Sequence, residues 1–290
     1  MTGAGVSGAG VGQPLIIESI TALRATVAAW RAQGERIALV PTMGALHAGH
    51  LSLVHKAREE APRSIVSIFV NPTQFAPSED FGKYPRTFEA DVAALAAIGA
   101  DAVYAPQLAE MYPPGFATAI VPEGPATTGL EDAFRPTHFH GVATVVAKLL
   151  LQVLPDAAIF GEKDFQQLAV IRHVARDLDL RTAIVGATTV READGLAMSS
   201  RNVFLTPAER QVAPVVHDTL QAVAAALRGG TAAKDALAAG EARLAASGLA
   251  LDYLALRDAE TLGPAEAGRA ARLLVAARLG SVRLIDNIAV

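Results

Sequence analysis

Two histidines three residues apart, His47 and His50, lie in a glycine-containing segment (residues 41–50, PTMGALHAGH) that follows a predicted buried strand. Gly44 and Gly49 allow the backbone to approach a ligand closely. If a helix begins here, its free N–H groups and its dipole favour a bound phosphate, and the two imidazoles share one helical face. Two such donors can stabilise a phosphate whose charge grows in a transition state. The segment predicts a phosphate site, and the alternative is a strand-to-helix turn whose histidines are incidental.

Zinc binding is a competing interpretation of the histidines. His138 and His140 can supply a second pair. However, the metalloprotease pattern H-E-x-x-H is absent, because Ala48 and Gly49 stand between the first two histidines. No cysteine is available as a thiolate ligand. A carboxylate-assisted metal site stays open as an alternative.

A second segment whose residues could bind or act on a ligand is 161–167 (GEKDFQQ), between another predicted strand and a helix. Lys163 at such a junction can reach a phosphate as a point charge. Asp164 and Gln167 also fit a helix cap, in which the carboxylate accepts from the first amides and the glutamine reaches back. The cap does not explain Lys163 or the paired glutamines.

Two further segments carry polar groups at places where a ligand is expected. Residues 198–202 (MSSRN) form a polar loop whose hydroxyls and guanidinium can clamp a triphosphate. Residues 69–75 (FVNPTQF) follow a predicted strand directly, so that Asn71 and Gln74 stand where a small polar substrate would be recognised. Each segment alone is also compatible with an ordinary loop or turn.

The elements that must position these segments alternate between short β-rich runs and longer helical patterns. This alternation of apolar strands with helices predicts a Rossmann-like, doubly wound parallel sheet with ligands at the carboxyl ends of its strands. The predicted strands are 36–41, 64–70, 101–105, 157–160 and 182–186, and the predicted helices are 49–60, 88–98, 142–153 and 164–178.

The pattern changes after a loop at residues 191–202, which predicts a second, smaller α+β domain. We therefore expect a disordered glycine-rich leader at 1–13, a nucleotide- and substrate-binding domain at 14–189 and a lid domain at 190–290. In the last of these, helices are predicted at 207–227 and 232–246, and strands at 251–257, 272–278 and 282–288.

Composition narrows the class of protein. With 290 residues, 51% of them hydrophobic, the chain has ample material for a core. Its net charge of −4 argues against nucleic acid as a partner, although it permits a local cationic pocket. The richest apolar stretch, residues 142–154, is interrupted by Lys148 and Gln152, so no membrane span is expected. The absence of cysteine suits a cytoplasmic location.

The order and spacing of the four segments closely resemble the pantoate–β-alanine ligase family, of the nucleotidyltransferase superfamily. The resemblance extends from about residue 37 to the C-terminus, and the leader has no counterpart. It is strengthened by further matching stretches, which are YPR at 84–86, RPTHF at 135–139, READG at 191–195 and LIDN at 284–287. Thr73 and His140 depart from residues common in the family, and neither is assigned to chemistry.

The resemblance implies an ATP-dependent and Mg²⁺-dependent ligase that joins pantoate to β-alanine through a pantoyl-adenylate, releasing AMP and pyrophosphate. It also implies a homodimer. His50 matches the proton donor, and Gln74 and Gln167 match residues that hold pantoate, with Gln74 also next to β-alanine; Asn71 is expected beside them. The catalytic set is His47, His50, Lys163 and Arg201. The implied ATP site comprises Met43, Gly44, Ala45, Leu46, His47, Ala48, Gly49, His50, Gly161, Glu162, Lys163, Asp164, Val190, Met198, Ser199, Ser200 and Arg201.

Two other functions remain as alternatives. An adenylyltransferase of cofactor assembly, which leaves the nucleotide on its product, uses the same kind of histidine turn. A non-catalytic nucleotide-binding module is the other alternative, and the presence of His50, Lys163 and Arg201 argues against it.

Overall fold

A computed structural model describes residues 12–75 and 81–290, so the predicted leader at 1–13 lies almost entirely outside the described residues. Within these ranges the chain forms a six-stranded parallel sheet and a three-stranded antiparallel sheet. The strands of the parallel sheet are β1 (Leu15–Ile17), β2 (Ile37–Thr42), β3 (Arg63–Ile68), β4 (Ala102–Tyr104), β5 (Ala157–Gly161) and β6 (Ala183–Ala187).

The parallel sheet has the strand order β1-β4-β3-β2-β5-β6. From β2 the chain adds β3 and β4 in one direction, and then returns to add β5 and β6 on the other side of β2. This reversal is the defining feature of a doubly wound sheet. The predicted fold class is confirmed, with a smaller α+β part following the parallel sheet.

Both faces of the parallel sheet are covered, which explains why its strands are apolar throughout. Ile37 and Leu39 point into a core shared with the helices Ile20–Ala32, His138–Val153 and Phe165–Asp177, whereas Ala38 and Val40 point into a core shared with the helices Ala48–Glu60 and Phe88–Ala97. All four side chains are fully buried. The helices of this part are α1 (Ile20–Ala32), α2 (Ala48–Glu60), α3 (Phe88–Ala97), α4 (Leu108–Met111), α5 (Glu131–Phe134), α6 (His138–Val153) and α7 (Phe165–Asp177).

The first strand and the first helix were not predicted. β1 has three residues, which is too short for an alternating pattern to be recognised. Helix α1 did leave a signal, because Ser19 caps its N-terminus and Leu23 and Val27 form a buried stripe. The other predicted strands and helices of this part agree with the structure to within a few residues.

The second part packs two longer helices against the antiparallel sheet. The three strands of this sheet follow one another in chain order, and the apolar sides of the helices share one core with the sheet. The elements are α8 (Pro207–Val212), α9 (Val215–Arg228), α10 (Ala233–Ala246), β7 (Ala250–Asp258), β8 (Ala271–Leu279) and β9 (Val282–Ala289). The domain boundary near residue 190 stays a prediction.

One predicted helix, 207–227, is two helices in the structure. α8 ends at Val212 and α9 begins at Val215, with Pro214 at the N-cap of α9. Proline has no N–H to donate and clashes with the preceding turn of a helix, so the break follows from the sequence. Among the described residues, no helix is long and apolar enough to cross a bilayer.

Helix α6 lies unusually close to the turn Pro72–Gln74, and a glycine makes this approach possible. A Cβ atom at Gly141 would overlap the carbonyl of Thr73. The carbonyl of Gly141 in turn accepts a hydrogen bond from Asn71 Nδ2 at 3.2 Å. The helix therefore fixes the backbone of the turn that carries Gln74.

Gly141→Ala is expected to lower the free energy of unfolding by about 1–3 kcal/mol, because the new methyl group meets backbone that cannot rotate away. An unobstructed glycine-to-alanine change within a helix would instead stabilise it by about 1 kcal/mol. Urea unfolding measures the difference. Gly240→Ala is the control: this helical glycine faces side-chain methyl groups of Leu254 and Val223 instead of backbone, so a smaller loss is expected. A Gly141→Ala protein as stable as the parent would contradict the tight packing.

Candidate active site

The parallel sheet splits at its carboxyl edge between β2 and β5. These strands pair only near their beginnings, Ala38 with Ala157 and Leu39 with Ala158, whereas β2 stays paired with β3 as far as Thr42. A cavity of about 220 Å³ lies at the split. Ligands of doubly wound sheets bind at this reversal of strand order.

All four predicted segments reach this cavity. The predicted residues that line it are Met43, His47, Gly49, His50, Asn71, Gln74, Gly161, Lys163, Asp164, Gln167, Val190, Met198, Ser199, Ser200 and Arg201. The predicted ATP-site residues that do not line it are Gly44, Ala45, Leu46, Ala48 and Glu162. Much of the remaining wall is apolar and includes Leu53, Phe69, Val142, Val145, Val146, Leu149 and Phe160.

The two histidines cap the helix that begins beside the cavity. His47 is the N-cap of α2, and its Nδ1 accepts a hydrogen bond from the amide of Gly49 at 3.1 Å. His50 Nδ1 accepts from the amide of His47 at 3.4 Å, and the ring centroids are 4.1 Å apart. Because each Nδ1 is an acceptor, a neutral ring carries its proton on Nε2. Each histidine therefore keeps one N–H donor for a ligand.

Burial favours the neutral form of both rings. It lowers the pKa of His50 to about 3, with further contributions from His47 and Lys163. Burial, and then the charge of Lys163, also lowers the pKa of His47. Both imidazoles are accordingly neutral donors at neutral pH, in agreement with the tautomer that the hydrogen bonds require.

A buried carboxylate holds the turn before these histidines, and it was not predicted. Asp91 of α3 accepts from the amides of Ala45 and Leu46 at 2.9 and 2.8 Å, and from Thr87 Oγ1 at 3.1 Å. The turn needs such support, since Gly44 and Ala45 have φ values of +81° and +52°. The available signal was an aspartate in the first turn of a helix that is apolar apart from this residue and Glu89.

Lys163 and Asp164 lie in a 3₁₀ turn, Glu162–Asp164, between β5 and α7. Lys163 Nζ is 3.5 Å from Asp164 Oδ2. Burial raises the pKa of Asp164, but Lys163 and Arg201 outweigh it and hold this pKa below its ordinary value. The predicted cap is wrong: Asp164 stands at the N-cap of α7 without a capping hydrogen bond. Its carboxylate instead shares the cavity with Lys163.

The loop before the polar segment 198–202 folds back on itself. Arg191 and Ala197 form an antiparallel bridge, and the amide of Met198 donates to the carbonyl of Val190 at 3.0 Å. This pairing explains how Val190 and Met198, eight positions apart, come to line the same wall of the cavity.

The serines and the arginine of this segment are held by local contacts. Ser199 caps the 3₁₀ turn Ser200–Phe204, and its Oγ accepts from the amide of Arg201 at 3.3 Å. The buried Tyr84 hydroxyl is 3.3 Å from Ser200 Oγ, and the Arg201 guanidinium lies 5.9 Å from the centre of the Tyr84 ring. Tyr84 belongs to the matching stretch YPR at 84–86, and the sequence did not predict that it lines the cavity.

On the opposite wall, Gln74 is oriented by its neighbours. Its Nε2 donates to Met43 Sδ at 3.2 Å, and its Oε1 accepts from Asn71 Nδ2 at 3.1 Å. Asn71 is buried, and its Oδ1 accepts from the Tyr112 hydroxyl at 2.9 Å. The polar atoms of Asn71 are thus bonded within the protein, which suits a residue that orients Gln74.

His138 also supports Gln74, and both of its ring nitrogens have partners within the protein, which argues against their use as zinc ligands. Its Nδ1 is 3.0 Å from the carbonyl oxygen of Gln74, so Nδ1 donates, and its Nε2 accepts from Arg135 Nη1 at 3.1 Å. In the parts of the chain that the structure describes, no three histidine, aspartate or glutamate side chains lie close enough together to hold a metal ion.

Comparisons with known proteins identify the family of this chain. The family model described as pantoate–β-alanine ligase matches residues 15–289. A pantothenate synthetase of Bradyrhizobium sp. is 58% identical over 279 residues, covering 96% of this chain and 99% of its own. A pantothenate synthetase of Rhodopseudomonas palustris is 56% identical over the same length, with the same coverage.

Solved structures extend the similarity to the fold. The pantothenate synthetase of Thermus thermophilus has a TM-score of 0.89 and 48% identity, over 94% of this chain and 98% of that one. The pantoate–β-alanine ligase of Francisella tularensis, complexed with β,γ-ATP and β-alanine, has a TM-score of 0.80 and 33% identity, over 95% and 97%. The chain described here belongs to the pantoate–β-alanine ligase family.

Proposed function

We propose that this protein condenses pantoate with β-alanine to form pantothenate, converting ATP to AMP and pyrophosphate. The observation that carries the proposal is one cavity in which phosphate-binding groups face amide groups. His47, His50, Lys163 and Arg201 supply the former, and Gln74 is among the latter. Membership of the ligase family and the ligands of the Francisella tularensis structure support the same substrates.

In the proposed first step, a carboxylate oxygen of pantoate attacks the α-phosphorus of ATP. The bond from that phosphorus to the bridging oxygen breaks, and pyrophosphate leaves with the electron pair. Negative charge grows on the phosphate oxygens, where the Nε2–H groups of His47 and His50 are suitable donors. Lys163 and Arg201 offset the charge of the leaving group, so positioning and electrostatics supply most of the catalysis.

Pantoate also presents an apolar part, its two geminal methyl groups. Val142, Val145 and Val146 of α6 give the cavity an apolar wall suited to these methyl groups. Gln74 and Gln167 offer amide groups for the hydroxyl and carboxylate of pantoate. We assign Asn71 to the orientation of Gln74, since its own polar atoms are bonded within the protein.

In the proposed second step, the amine of β-alanine attacks the acyl carbon of pantoyl-adenylate. AMP departs with the electron pair of the broken carbon–oxygen bond, and the amine loses a proton. The mixed anhydride is vulnerable to water, and an enclosed, partly apolar cavity protects such intermediates.

The proposal also includes a Mg²⁺ ion, a homodimer and a cytoplasmic location. Asp164 is the one carboxylate among the described residues that line the cavity. This fits Mg²⁺, which commonly binds one or two carboxylates together with substrate phosphates, so Asp164 would hold an ion that neutralises phosphate charge. Family membership supports a cytoplasmic homodimer.

Product analysis tests the function directly. Purified protein with ATP, Mg²⁺, pantoate and β-alanine is expected to release AMP and pyrophosphate in equal amounts, with pantothenate. Omission of pantoate should abolish pyrophosphate release, and omission of β-alanine should stop the reaction after one turnover. Pyrophosphate without free AMP in the complete mixture would identify a transferase that keeps the nucleotide on its product. Folded protein that binds ATP without any reaction would indicate a binding module.

Lys163→Ala is expected to slow single-turnover adenylate formation by about 100- to 1,000-fold, which is the usual effect of losing one preorganised donor. His50→Ala should act in the same direction, with the far-ultraviolet circular dichroism spectrum unchanged. Lys234→Ala, at an exposed position of α10, is the matched control and should retain the parent rate. A Lys163→Ala enzyme that forms the adenylate at the parent rate would refute the assigned role.

The low pKa of His50 predicts an acid-sensitive fold. The unfolded chain takes up a proton near the ordinary value of 6.5, whereas the folded protein does so only near 3. As pH falls from about 6.5, this histidine therefore reduces the free energy of unfolding by up to about 1.4 kcal/mol per pH unit. Urea unfolding of nucleotide-free protein between pH 7 and 4.5 measures the slope. His50→Gln should flatten it, and His55→Gln, at an exposed position of α2, should not. Equal slopes in His50→Gln and parent would contradict the shift.

A further inference from the structure

Asp286 and Asn287 are adjacent residues of β9, in the second part of the chain. They contact two segments of the chain that lead to residues lining the cavity, one at Glu162 and Lys163 and the other at Arg191. Asp286 and Asn287 are buried, with 4% and 3% of their surfaces exposed. Side chains of successive strand residues point to opposite faces. The pair can therefore contact two different segments of the first part at once.

Asn287 holds the turn that carries Lys163. Its Nδ2 donates to the carbonyl oxygens of Glu162 and Lys163, at 2.9 and 2.8 Å. Its Oδ1 accepts from Arg272 Nε at 2.6 Å. Both amide hydrogens and the amide oxygen are thus engaged, and two of the three bonds end on the backbone beside the proposed phosphate-binding lysine.

Arg272 fixes the orientation of that amide. Besides its bond to Asn287, its Nη2 lies 3.1 Å from Glu162 Oε2. Its guanidinium also stacks 4.1 Å from the centre of the Phe165 ring, at the first residue of α7. The turn Glu162–Asp164 is therefore held by a closed set of contacts to β8 and β9.

Asp286 holds the segment that leads to Arg201. Its two carboxylate oxygens accept from Arg191 Nη1 and Nη2 at 2.6 and 2.9 Å, in a bidentate pair that is among the stronger side-chain interactions. Arg191 Nη1 also donates to the carbonyl of Gly195 at 3.0 Å, which stiffens the loop between Arg191 and Ala197. Met198–Arg201 follow directly.

We infer that Asp286 and Asn287 are positioning residues, which set the distance between Lys163 and Arg201 for the leaving pyrophosphate. This inference rests on the proposed function, because it needs both cations to act on the nucleotide. Neither residue lines the cavity that holds the predicted site. Asp286 does line an adjoining cavity with Lys163 and Arg201, but its hydrogen bonds, like those of Asn287, go to the segments that carry these two residues and not to the residues' charged groups.

A double-mutant cycle separates positioning from general stability. Asn287→Ala is expected to slow single-turnover adenylate formation by about 10- to 100-fold, since a misplacement near 1 Å can have this effect. In a Lys163→Ala background the same change should slow it by less than about threefold, because the group that Asn287 positions is already gone. The KM for β-alanine should stay within about twofold of the parent value in Asn287→Ala, since that substrate reacts only in the second step.

A matched control addresses loss of stability. Asp258, at the end of β7, is equally buried and accepts hydrogen bonds from Thr261 and from the amide of Glu260, in a loop that does not line the catalytic cavity. Asp258→Asn should lower the thermal midpoint without changing the rate at temperatures well below that midpoint. Rates for all variants are compared at such a temperature.

Three results would overturn the inference. They are an Asn287→Ala rate equal to that of the parent, an equal fractional loss with and without Lys163, or an equal loss in Asp258→Asn. If Asn287→Ala does not fold, Asn287→Ser, which retains one hydroxyl donor, takes its place in the same cycle. Failure of the proposed function is distinguishable, since the parent protein itself would then form no pantothenate.

Discussion

The separation of β2 from β5 is the constraint on which the site depends. Parallel strands that stay paired to their ends leave no room between the loops that follow them. Here the ladder stops at Leu39 and Ala158, and the turns after Thr42 and Gly161 face each other across a gap. One turn brings neutral N–H donors and the other brings a lysine. In the proposed function a phosphate between them would contact both turns.

Polar groups that are satisfied within the protein keep this gap in shape. Asp91 accepts from the turn on one side, and Asn287 donates to the turn on the other. Asn71 donates to Gln74 Oε1 and so orients the Gln74 side chain. A buried polar group without a partner is unfavourable by roughly 1–3 kcal/mol. Conformations in which each of these contacts is made are therefore strongly favoured over those in which it is broken. The rigidity of the site thus comes largely from side chains that do not touch the reacting atoms.

The sequence predicted most of the strands and helices and the four segments that line the cavity, because both depend on local patterns. Buried strands such as β2 are continuous apolar runs, and glycine with histidine at a strand-to-helix junction is a local signal. Asp91 and Asn287 were not predicted as supports, because the turns that they hold lie 45 or more positions away in the chain. The capping role expected of Asp164 was wrong for a related reason: the charge of Lys163 and the open cavity compete with the helix amides, and spacing alone does not reveal that competition.

The site combines neutral hydrogen-bond donors with positively charged ones. Burial next to Lys163 keeps His47 and His50 neutral, so these rings contribute directed N–H groups without adding charge. Lys163 and Arg201 then carry the positive charge, with Asp164 between them as partial compensation. A triphosphate would raise the pKa of both histidines, because its negative charge favours the protonated ring. Protonation would place a hydrogen on each Nδ1 and break the bonds that these atoms accept from the amides of His47 and Gly49, so the cap of α2 also favours the neutral rings.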